Sequence, residues 1–224
     1  DASRPEGLSI NSFMDDTFQH FSYTSIDDVT KTLRPGMYMS VTDISSAYRS
    51  IMIRPGDRQY QGLKWNVNNK PVYIVDNFVS FGPRMAAFLF NRITDSVTRF
   101  VRASGFVCFN YLDDFLTMGQ SHEECQQAQL FLHSVLRSLG FYIAYKKVLS
   151  PAQTQIYLGI ELDSIKMELR LPQDKVVGLH TELAFFAGRR RATKKQLRRL
   201  CGILAHCSSL VWGGRTFSHR VIAM

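Results

Sequence analysis

Two adjacent aspartates, Asp113 and Asp114, stand where the sequence predicts the bend of a tight β-hairpin, and Asp43 ends a predicted strand far upstream. If those strands are neighbours, the three carboxylates meet at one end of a sheet. Without a counter-ion they repel, because two like charges 4 Å apart cost roughly 4 kcal/mol near a protein surface. A bound divalent cation reverses the sign of that interaction. The alternative is an ordinary turn, since Asp pairs also occur at 15–16 and 27–28.

The chemistry that suits three converging carboxylates is phosphoryl transfer. Mg²⁺ binds carboxylate and phosphate oxygens and keeps several waters, so it needs few protein ligands. Two such ions, about 3.5–4 Å apart, stabilise both the attacking and the leaving oxygen of an in-line displacement. In nucleotide addition these oxygens belong to a primer 3′-hydroxyl and an incoming triphosphate. The six histidines show no metal-ligand spacing, and no cysteine or histidine is placed as a competing nucleophile.

Composition narrows the class of partner. The chain has 224 residues, 45% of them hydrophobic, and a formal net charge of +8, which favours a polyanion such as nucleic acid or an acidic membrane surface, with solubility alone as the alternative. No apolar run is long enough to span a membrane, and no signal peptide is evident. Because the first residue is Asp1 and not Met, we expect a piece of a longer polypeptide. The cysteines form no CxxC pair and predict reduced thiols in an intracellular protein: Cys108, Cys125, Cys201 and Cys207.

Alternating apolar residues and turn residues predict a series of short strands. The strand over 37–43 runs into Asp43, and the pair 106–111 and 115–118 forms the hairpin around Asp113 and Asp114. A turn at 54–57 and a polar turn at 66–70 separate further segments. The remaining predicted strands are 51–53, 60–65, 72–75, 141–144, 156–162 and 167–171.

Helical periodicity predicts a short helix at about 25–33 and three long helices. The first long helix starts at Pro83, ends at Gly105 and has a predicted apolar face of Ala86, Leu89, Ile93, Val97 and Phe100. The second runs over 121–139, with a capping box and a predicted apolar stripe of Ala128, Leu132, Val135 and Leu139. The third is capped by Thr193. Because helices and hairpins interleave irregularly, we predict an α+β fold with an antiparallel sheet and helices on one face.

Five segments of the sequence resemble the motifs of reverse transcriptases, in the same order and with similar spacing. Residues 41–48 (VTDISSAY) resemble the first catalytic motif, and Phe81-Gly82 resembles the second core motif. Residues 111–114 (YLDD) are similar to the third motif. Lys147 stands where the family has its palm lysine, and residues 157–159 (YLG) look like the primer-grip hairpin. The similarity covers most of the chain.

The resemblance implies a right-hand polymerase fold with partial fingers, a palm and the start of a thumb. The reverse transcriptase domain would cover 1–185, with the palm core at about 37–53 and 83–165, and the thumb or connection helix would begin at 186. The leucine-rich last helix, ending at 211–215 (VWGGR), is most similar to the DIRS-like, tyrosine-recombinase group of retroelements.

Roles at the active centre follow from the resemblance alone. Asp43 and Asp113 would be the principal metal ligands, with Asp114 assisting and Ile44 contributing as a neighbour in the motif. Lys147 would donate a proton or charge to the leaving pyrophosphate, with a solvated lysine as the alternative. Tyr48 would be the steric gate beneath the sugar, which excludes a 2′-hydroxyl; its alternative is a core aromatic. The implied nucleotide-binding residues are Ile44, Ser45, Ser46, Ala47, Tyr48, Phe81 and Gly82.

Contacts to the primer and template also come from the resemblance. The basic stretch 188–199 opens the last helix, which would be the thumb; a solvated charged face and a nuclear-localisation signal are the alternatives. Ser46, Ser80 and Pro83-Arg84 depart from the family pattern, and the basic fingers residues would precede Asp1. The implied contact residues are Tyr111, Leu112, Tyr157, Leu158, Gly159, Lys195, Arg198 and Arg199.

The implied activity is that of an RNA-directed DNA polymerase with two Mg²⁺ ions, for which Mn²⁺ can substitute. Its partners would be an RNA template, a DNA primer, their hybrid and deoxynucleoside triphosphates, without a membrane. Ribonuclease H and recombinase domains would flank it in a retrotransposon polyprotein, in an intracellular setting, nuclear or cytoplasmic. The alternatives are an inactive or domesticated nucleic-acid-binding relative and an RNA-templated RNA polymerase or other palm nucleotidyltransferase.

Overall fold

The computed structural model describes residues 2–14, 22–189, 191–208, 210–211 and 214. The chain divides into two units, residues 1–152 and 153–224. The predicted division into a reverse transcriptase domain over 1–185 and a thumb from 186 concerns function and stays a prediction. The Asp pair at 15–16, Arg190 and most of the tail motif at 211–215 lie outside the described residues.

The first unit is an antiparallel sheet with helices, as its sequence pattern predicts. In the described residues, five strands form the order β4-β5-β1-β6, and β7 also pairs with β1. A separate hairpin consists of β2 and β3. Its elements are α1 (Ile26–Thr32), β1 (Tyr38–Ser45), β2 (Gly62–Val67), β3 (Lys70–Val75), α2 (Arg84–Ala103), β4 (Val107–Tyr111), β5 (Asp114–Gly119), α3 (His122–Ser138), β6 (Tyr142–Ile143) and β7 (Leu149–Ala152), with 3₁₀ helices at Ile10–Phe13, Ala47–Ser50, Pro55–Tyr60 and Tyr145–Lys147.

Helices α2 and α3 pack on one face of this sheet, which confirms the predicted α+β architecture. Thr42 Oγ1 on β1 lies 2.9 Å from His133 Nε2 on α3, and Asn110 Nδ2 on β4 donates to Thr94 Oγ1 on α2 at 3.2 Å. These polar contacts join the helices to the strands around an apolar centre. The buried side chains of that centre are Ile44, Phe90, Val97, Val101, Cys108, Phe115, Leu132, Leu136, Phe141 and Ile143.

The predicted apolar face of α2 is rotated relative to the buried one. Leu89 and Phe100 are 42% and 55% exposed, whereas Phe90 and Val101 are fully buried. The prediction was wrong at these two exposed positions because it counted apolar residues only, whereas Ala86 and Val97 are buried as predicted. The buried face includes Thr94, whose hydroxyl also bonds to the Phe90 carbonyl at 3.3 Å, so a polar side chain is satisfied inside the core.

Helix α3 shows the same kind of deviation at its end. Ser121 caps it as predicted, since its hydroxyl accepts a hydrogen bond from the Glu124 N–H at 3.1 Å. Leu139, predicted to be in the apolar stripe, is exposed, and Leu136 is buried in its place. Gln129 is also buried, because its Nε2 donates to the Leu149 carbonyl at 3.0 Å. A buried amide with a backbone partner leaves no apolar signal in the sequence.

Between β1 and α2, the described residues 51–53, which were predicted as a strand, do not form one. Met52 makes a single β-bridge with Phe78 instead. The β2–β3 hairpin is longer than predicted, because its turn consists of Asn68 and Asn69 alone, with φ of +49° and +61°. Asparagine tolerates this left-handed conformation, so two residues suffice where a turn over 66–70 was predicted.

The second unit contains β8 (Thr154–Tyr157), β9 (Ile160–Asp163), β10 (Glu168–Arg170), α4 (Gln173–Ala187) and α5 (Lys194–Ser208). The segment 156–162, predicted as strand throughout, is the inner part of the β8–β9 hairpin, and β10 pairs with β9 as expected. Thr193 caps α5 as predicted, since Gln196 N–H donates to its hydroxyl at 3.3 Å.

Helix α4 was missed by the sequence pattern, as was β7. None of the described residues of α4 is buried, so the helix shows no apolar stripe that periodicity would detect. The four cysteines form no disulfide, and Cys108 and Cys125 are buried, in agreement with predicted thiols. Across the described ranges, no helix has the length and apolar character needed to cross a bilayer.

Candidate active site

The pairing of β1 with β5 brings the three predicted aspartates to one end of the sheet. Asp43 and Asp114 are direct cross-strand partners, and Asp113 lies in the turn that precedes β5. The Ile44 N–H donates to the Asp113 carbonyl at 3.1 Å, which ties this turn to β1. The strands that carry the carboxylates are therefore neighbours, as the prediction required.

The turn itself is tight and strained. Tyr111 pairs with Asp114, so Leu112 and Asp113 alone reverse the chain, and Leu112 has a φ of +52°. For a residue with a Cβ this left-handed conformation costs about 1–2 kcal/mol. Leu112 is partly buried against the apolar centre, which holds it in place. The Tyr111 ring contacts the Tyr23 ring in a tilted arrangement, with ring centroids 4.8 Å apart.

The carboxylates are electrostatically destabilised in this arrangement. Burial, and then the charges of Asp113 and Asp43, raise the pKa of Asp114 to about 6. The pKa of Asp113 is raised mainly by burial and also by Asp43. Like charges directly opposite each other in a sheet are unfavourable, so the fold does not gain stability from this cluster. The arrangement therefore favours a function that brings in positive charge.

Lys147 supplies one such charge. Its Nζ donates to Asp43 Oδ2 at 2.9 Å, and this hydrogen bond raises the pKa of Lys147. The lysine belongs to the short 3₁₀ helix that follows β6, and the Ala144 N–H before it donates to the Asp43 carbonyl at 2.9 Å. The predicted palm lysine thus lies in direct contact with the first aspartate.

A cavity of about 390 Å³ joins the carboxylates to the predicted nucleotide-binding residues. The Tyr48 ring meets Phe81 and Phe90 edge-on, with centroids 4.9 and 5.2 Å apart. Gly82 and Asp114 are outside the lining, although each adjoins a lining residue. The lining residues are Asp43, Ile44, Ser45, Ser46, Ala47, Tyr48, Phe81, Phe90, Leu112, Asp113, Ala144 and Lys147.

Ser46 turns the chain around this cavity. Its φ of +56° and ψ of +39° are left-handed, and the 3₁₀ helix Ala47–Ser50 starts immediately afterwards. The Arg49 N–H donates to the Ser46 carbonyl at 2.8 Å. The reversal places the small residues 45–47 and then Tyr48 along the cavity wall.

Asn11 is a supporting residue that the sequence pattern missed. Its buried side chain donates to the Gly82 carbonyl at 3.0 Å and accepts from the Arg84 N–H at 2.8 Å. Gly82 itself has a φ of +115°, which a residue with a Cβ rarely adopts. Asn11 thus fixes the start of α2 next to Phe81. No local sequence signal identifies a contact across 71 positions.

The second unit contains the remaining predicted contact residues. Leu158 and Gly159 form the turn of the β8–β9 hairpin. Tyr157 is 1% exposed, so a primer contact at this hairpin would involve the turn and not the Tyr157 side chain. Lys195 and Arg198 are exposed on α5, whereas Arg199 lies 3.2 Å from Glu182 on α4.

The carboxylates of the first unit have the donor chemistry that a divalent metal ion requires. Over the described ranges, no three His, Cys, Asp or Glu side chains surround a common point as metal ligands, and Asp43 is directed to Lys147. The donors are nevertheless hard oxygens of the type that Mg²⁺ prefers. The raised pKa of Asp114 is a second indication. Burial raises this pKa most and the neighbouring carboxylates raise it further, and a bound cation would stabilise the ionised form against both effects.

The chain is similar to known proteins in sequence and in fold. Residues 7–162 match the family described as reverse transcriptase (RNA-dependent DNA polymerase). A search of curated proteins gives no match. A solved structure of the foamy viral protease-reverse transcriptase dRH with double-stranded DNA is similar, with a TM-score of 0.73 and 14% identity over 89% of this chain and 32% of that chain.

A second foamy viral protease-reverse transcriptase structure, in complex with an RNA/DNA hybrid, has a TM-score of 0.67 and 13% identity over 90% of this chain and 25% of that chain. At these identities the likeness concerns the fold. The chain spans only about a quarter to a third of these viral proteins. Because the sequence match covers well over half of its residues, the chain belongs to the reverse transcriptase (RNA-dependent DNA polymerase) family.

Proposed function

We propose that the chain is part of an RNA-directed DNA polymerase that adds deoxynucleotides to a primer 3′-hydroxyl by two-metal phosphoryl transfer. The observation that carries the proposal is that one and the same cavity is lined by Asp43, Asp113, Lys147, Tyr48 and Phe81. Such a reaction uses carboxylates to bind metal ions and a cation to bind phosphate, and the aromatic side chains beside them can contact the nucleotide sugar. Family membership supports the same reaction.

Asp43, Asp113 and Asp114, with the main chain of Ile44, would hold two Mg²⁺ ions, for which Mn²⁺ can substitute. When bound, the ions would neutralise charge on the attacking and leaving oxygens. The chain's own contribution is to hold three carboxylates together at the strand ends against their repulsion. Helices α2 and α3 supply the buried apolar centre that makes this possible.

Lys147 has a second task in this proposal. It pairs with Asp43 in the absence of a cation, and it lines the cavity on the side of Ala144. With Asp43 held by a cation, the Lys147 ammonium would be available to an anionic ligand in the same cavity. As an ammonium lining this cavity, Lys147 would donate charge or a proton to the leaving pyrophosphate.

Tyr48 is proposed to select the sugar. Phe81 and Phe90 hold its ring edge-on, so it forms a rigid wall that a 2′-hydroxyl would meet. The small neighbours Ser45, Ser46 and Ala47 leave room for the triphosphate beside it. A rigid aromatic discriminates by exclusion and not by an added attraction.

The experiment measures dTTP and UTP incorporation on poly(rA)–oligo(dT) with Mg²⁺ or Mn²⁺. The wild-type chain is expected to prefer dTTP, and Tyr48→Ala to reduce the preference about tenfold, equivalent to about 1.4 kcal/mol. Tyr48→Phe, which keeps the ring, serves as the control and should retain the preference. A Tyr48→Ala variant with unchanged preference would remove Tyr48 from this role.

The proposed partners are an RNA template, a DNA primer, their hybrid and deoxynucleoside triphosphates. The net charge of +8 and the exposed cations of α5 support a polyanionic partner. The Tyr157 side chain is buried and is not proposed as a contact. The proposed primer and template contacts are Tyr111, Leu112, Leu158, Gly159, Lys195, Arg198 and Arg199.

The proposed biological context is an intracellular retrotransposon polyprotein of the DIRS-like group. Its support is the sequence of the leucine-rich last helix and tail, whose family likeness is described above. Flanking ribonuclease H and recombinase domains belong to the same proposal. Sequencing the genomic locus around the coding segment tests it, and a locus without a recombinase reading frame would contradict it.

A further inference from the structure

The turn between β8 and β9 has an unusual residue for its geometry. Leu158 and Gly159 are its two central residues, with φ of +49° and +74°. Two positive φ values define a type I′ turn, which favours Asn, Asp or Gly at the first position. Leucine there is strained, because its Cβ disfavours a left-handed backbone. Such a conformation persists where the surrounding structure fixes it.

Two helices contact the Gly159 carbonyl. Lys175 Nζ, from the first turn of α4, donates to this oxygen at 3.1 Å, and His206 Nε2, from the last turn of α5, lies 3.4 Å from it. A Cβ built on Gly159 would collide with the Lys175 ammonium. Glycine therefore both adopts the required φ and leaves the space that the ammonium occupies.

The position of Lys175 is unfavourable for α4 itself. A cation in the first turn faces the positive end of the helix dipole, which is electrostatically unfavourable. Contact with a carbonyl oxygen offsets this cost. Lys175 is exposed, so the contact adds little to the stability of the whole unit. Its consequence is local, at the turn.

Helices α4 and α5 are also joined to each other. Glu182 on α4 and Arg199 on α5 form an ion pair at 3.2 Å. The hairpin, α4 and α5 are therefore connected pairwise, through Lys175, His206 and this ion pair. Lys195 and Arg198 are exposed on the same α5.

We propose that Lys175 and His206 are positioning residues, which hold the turn of Leu158 and Gly159 in a fixed orientation relative to the basic helix α5. The inference rests on the proposed function, in which the turn contacts the primer and α5 contacts the duplex. With the turn held, both contacts act on the duplex as one body. Release of the turn weakens primer–template binding and leaves the chemical step unchanged.

The test compares the full chain with Lys175→Met, with the conservative Lys175→Arg and with Lys166→Met, an exposed lysine in the β9–β10 turn. Lys175→Met is expected to speed hydrogen exchange at the 158–159 turn. It should raise KM for primer–template about fivefold, equivalent to about 1 kcal/mol of lost binding, with kcat and the nucleotide KM unchanged. Lys175→Arg should restore both values, and Lys166→Met should change neither.

His206→Leu is expected to act in the same direction but more weakly, because its contact is longer. If Lys175→Met leaves hydrogen exchange at the 158–159 turn unchanged, Lys175 does not hold the turn, and this outcome overturns the proposal whatever the polymerase activity. Faster exchange with an unchanged primer–template KM overturns the link to the primer. If the wild-type chain extends no primer, the proposed function fails, and hydrogen exchange alone then decides whether Lys175 holds the turn.

Discussion

At the scale of single residues, the site trades stability for function. Asp43 and Asp114 face each other across two strands, and Leu112 adopts a left-handed φ beside them. Neither feature contributes to folding. Both are compatible with the fold because the apolar centre beneath them is large and well buried. Destabilised groups of this kind are typical of sites that bind a charged ligand.

Asp114→Asn tests this trade. The pKa of Asp114 is raised to about 6 in the folded chain, so its ionisation destabilises the fold as pH rises from about 4 through 6. Without metal at pH 7.5, the variant is expected to unfold with a free energy higher by about 1 kcal/mol, a value reduced for the partial exposure of the group. Denaturant melts in EDTA provide the measurement.

The gain should be smaller at pH 4.5, because the wild-type carboxyl is then neutral in the folded state. Asp95→Asn on the exposed face of α2 is the control, although its ion pair with Arg99 makes a small loss the expected result. An Asp114→Asn variant less stable than the wild type at pH 7.5 would contradict the conclusion that ionised Asp114 destabilises the fold.

At the scale of elements, the sheet positions the site and the two long helices support it. The β4–β5 hairpin and β1 carry the carboxylates, while α2 and α3 cover one face of the sheet. Residue type alone does not identify the buried face of either helix, because each helix also has exposed apolar residues. On α3, Leu132 is fully buried and Leu130 is 59% exposed. The two side chains point in nearly opposite directions, because two positions along a helix differ by about 200° around its axis.

Leu132→Ala is therefore expected to lower the free energy of unfolding by about 2–5 kcal/mol, because it leaves a cavity in the apolar centre. Leu130→Ala is the matched control and should change it by less than about 0.5 kcal/mol. Thermal or denaturant unfolding measures both. Equal losses in the two variants would mean that the buried face of α3 has been assigned wrongly.

The parts that could be predicted from sequence are those with a local signal. Alternation gave the strand into Asp43, and the acidic turn and the Ser121 cap were recognisable from neighbouring residues. The prediction of the buried face of α2 was partly wrong, because the buried Thr94 is polar and its hydroxyl is hydrogen-bonded inside the core. Helix α4 was missed because none of its residues is buried. The contact of Asn11 with Gly82 joins distant positions, so no local pattern contains it.

At the scale of the whole chain, charge is the dominant property. The net charge of +8 includes the cations at the start of α5, of which Lys195 and Arg198 are exposed. Phosphate contacts release counter-ions, so each one steepens the fall of affinity with salt. The family match covers residues 7–162, and the proposed duplex contacts of α5 lie beyond it.

The Lys195→Gln, Arg198→Gln double variant is expected to weaken binding to an RNA–DNA hybrid. The slope of log K against log salt should become shallower by about 2, since about one unit is lost for each phosphate contact. Fluorescence anisotropy over a salt series measures this slope. Lys31→Gln with Lys166→Gln serves as a control of equal charge change, and an equal loss of slope there would assign the effect to net charge alone.

The most direct test of the central claim is primer extension on poly(rA)–oligo(dT) with dTTP and Mg²⁺ or Mn²⁺, comparing the wild-type chain with Asp113→Asn and with Asp95→Asn as a carboxylate control. The account predicts metal-dependent extension that Asp113→Asn lowers by at least about 100-fold, as expected for removal of a group that stabilises transferring charge. Asp95→Asn should extend normally. Extension that Asp113→Asn leaves intact would contradict the assignment of this cavity as the polymerase centre.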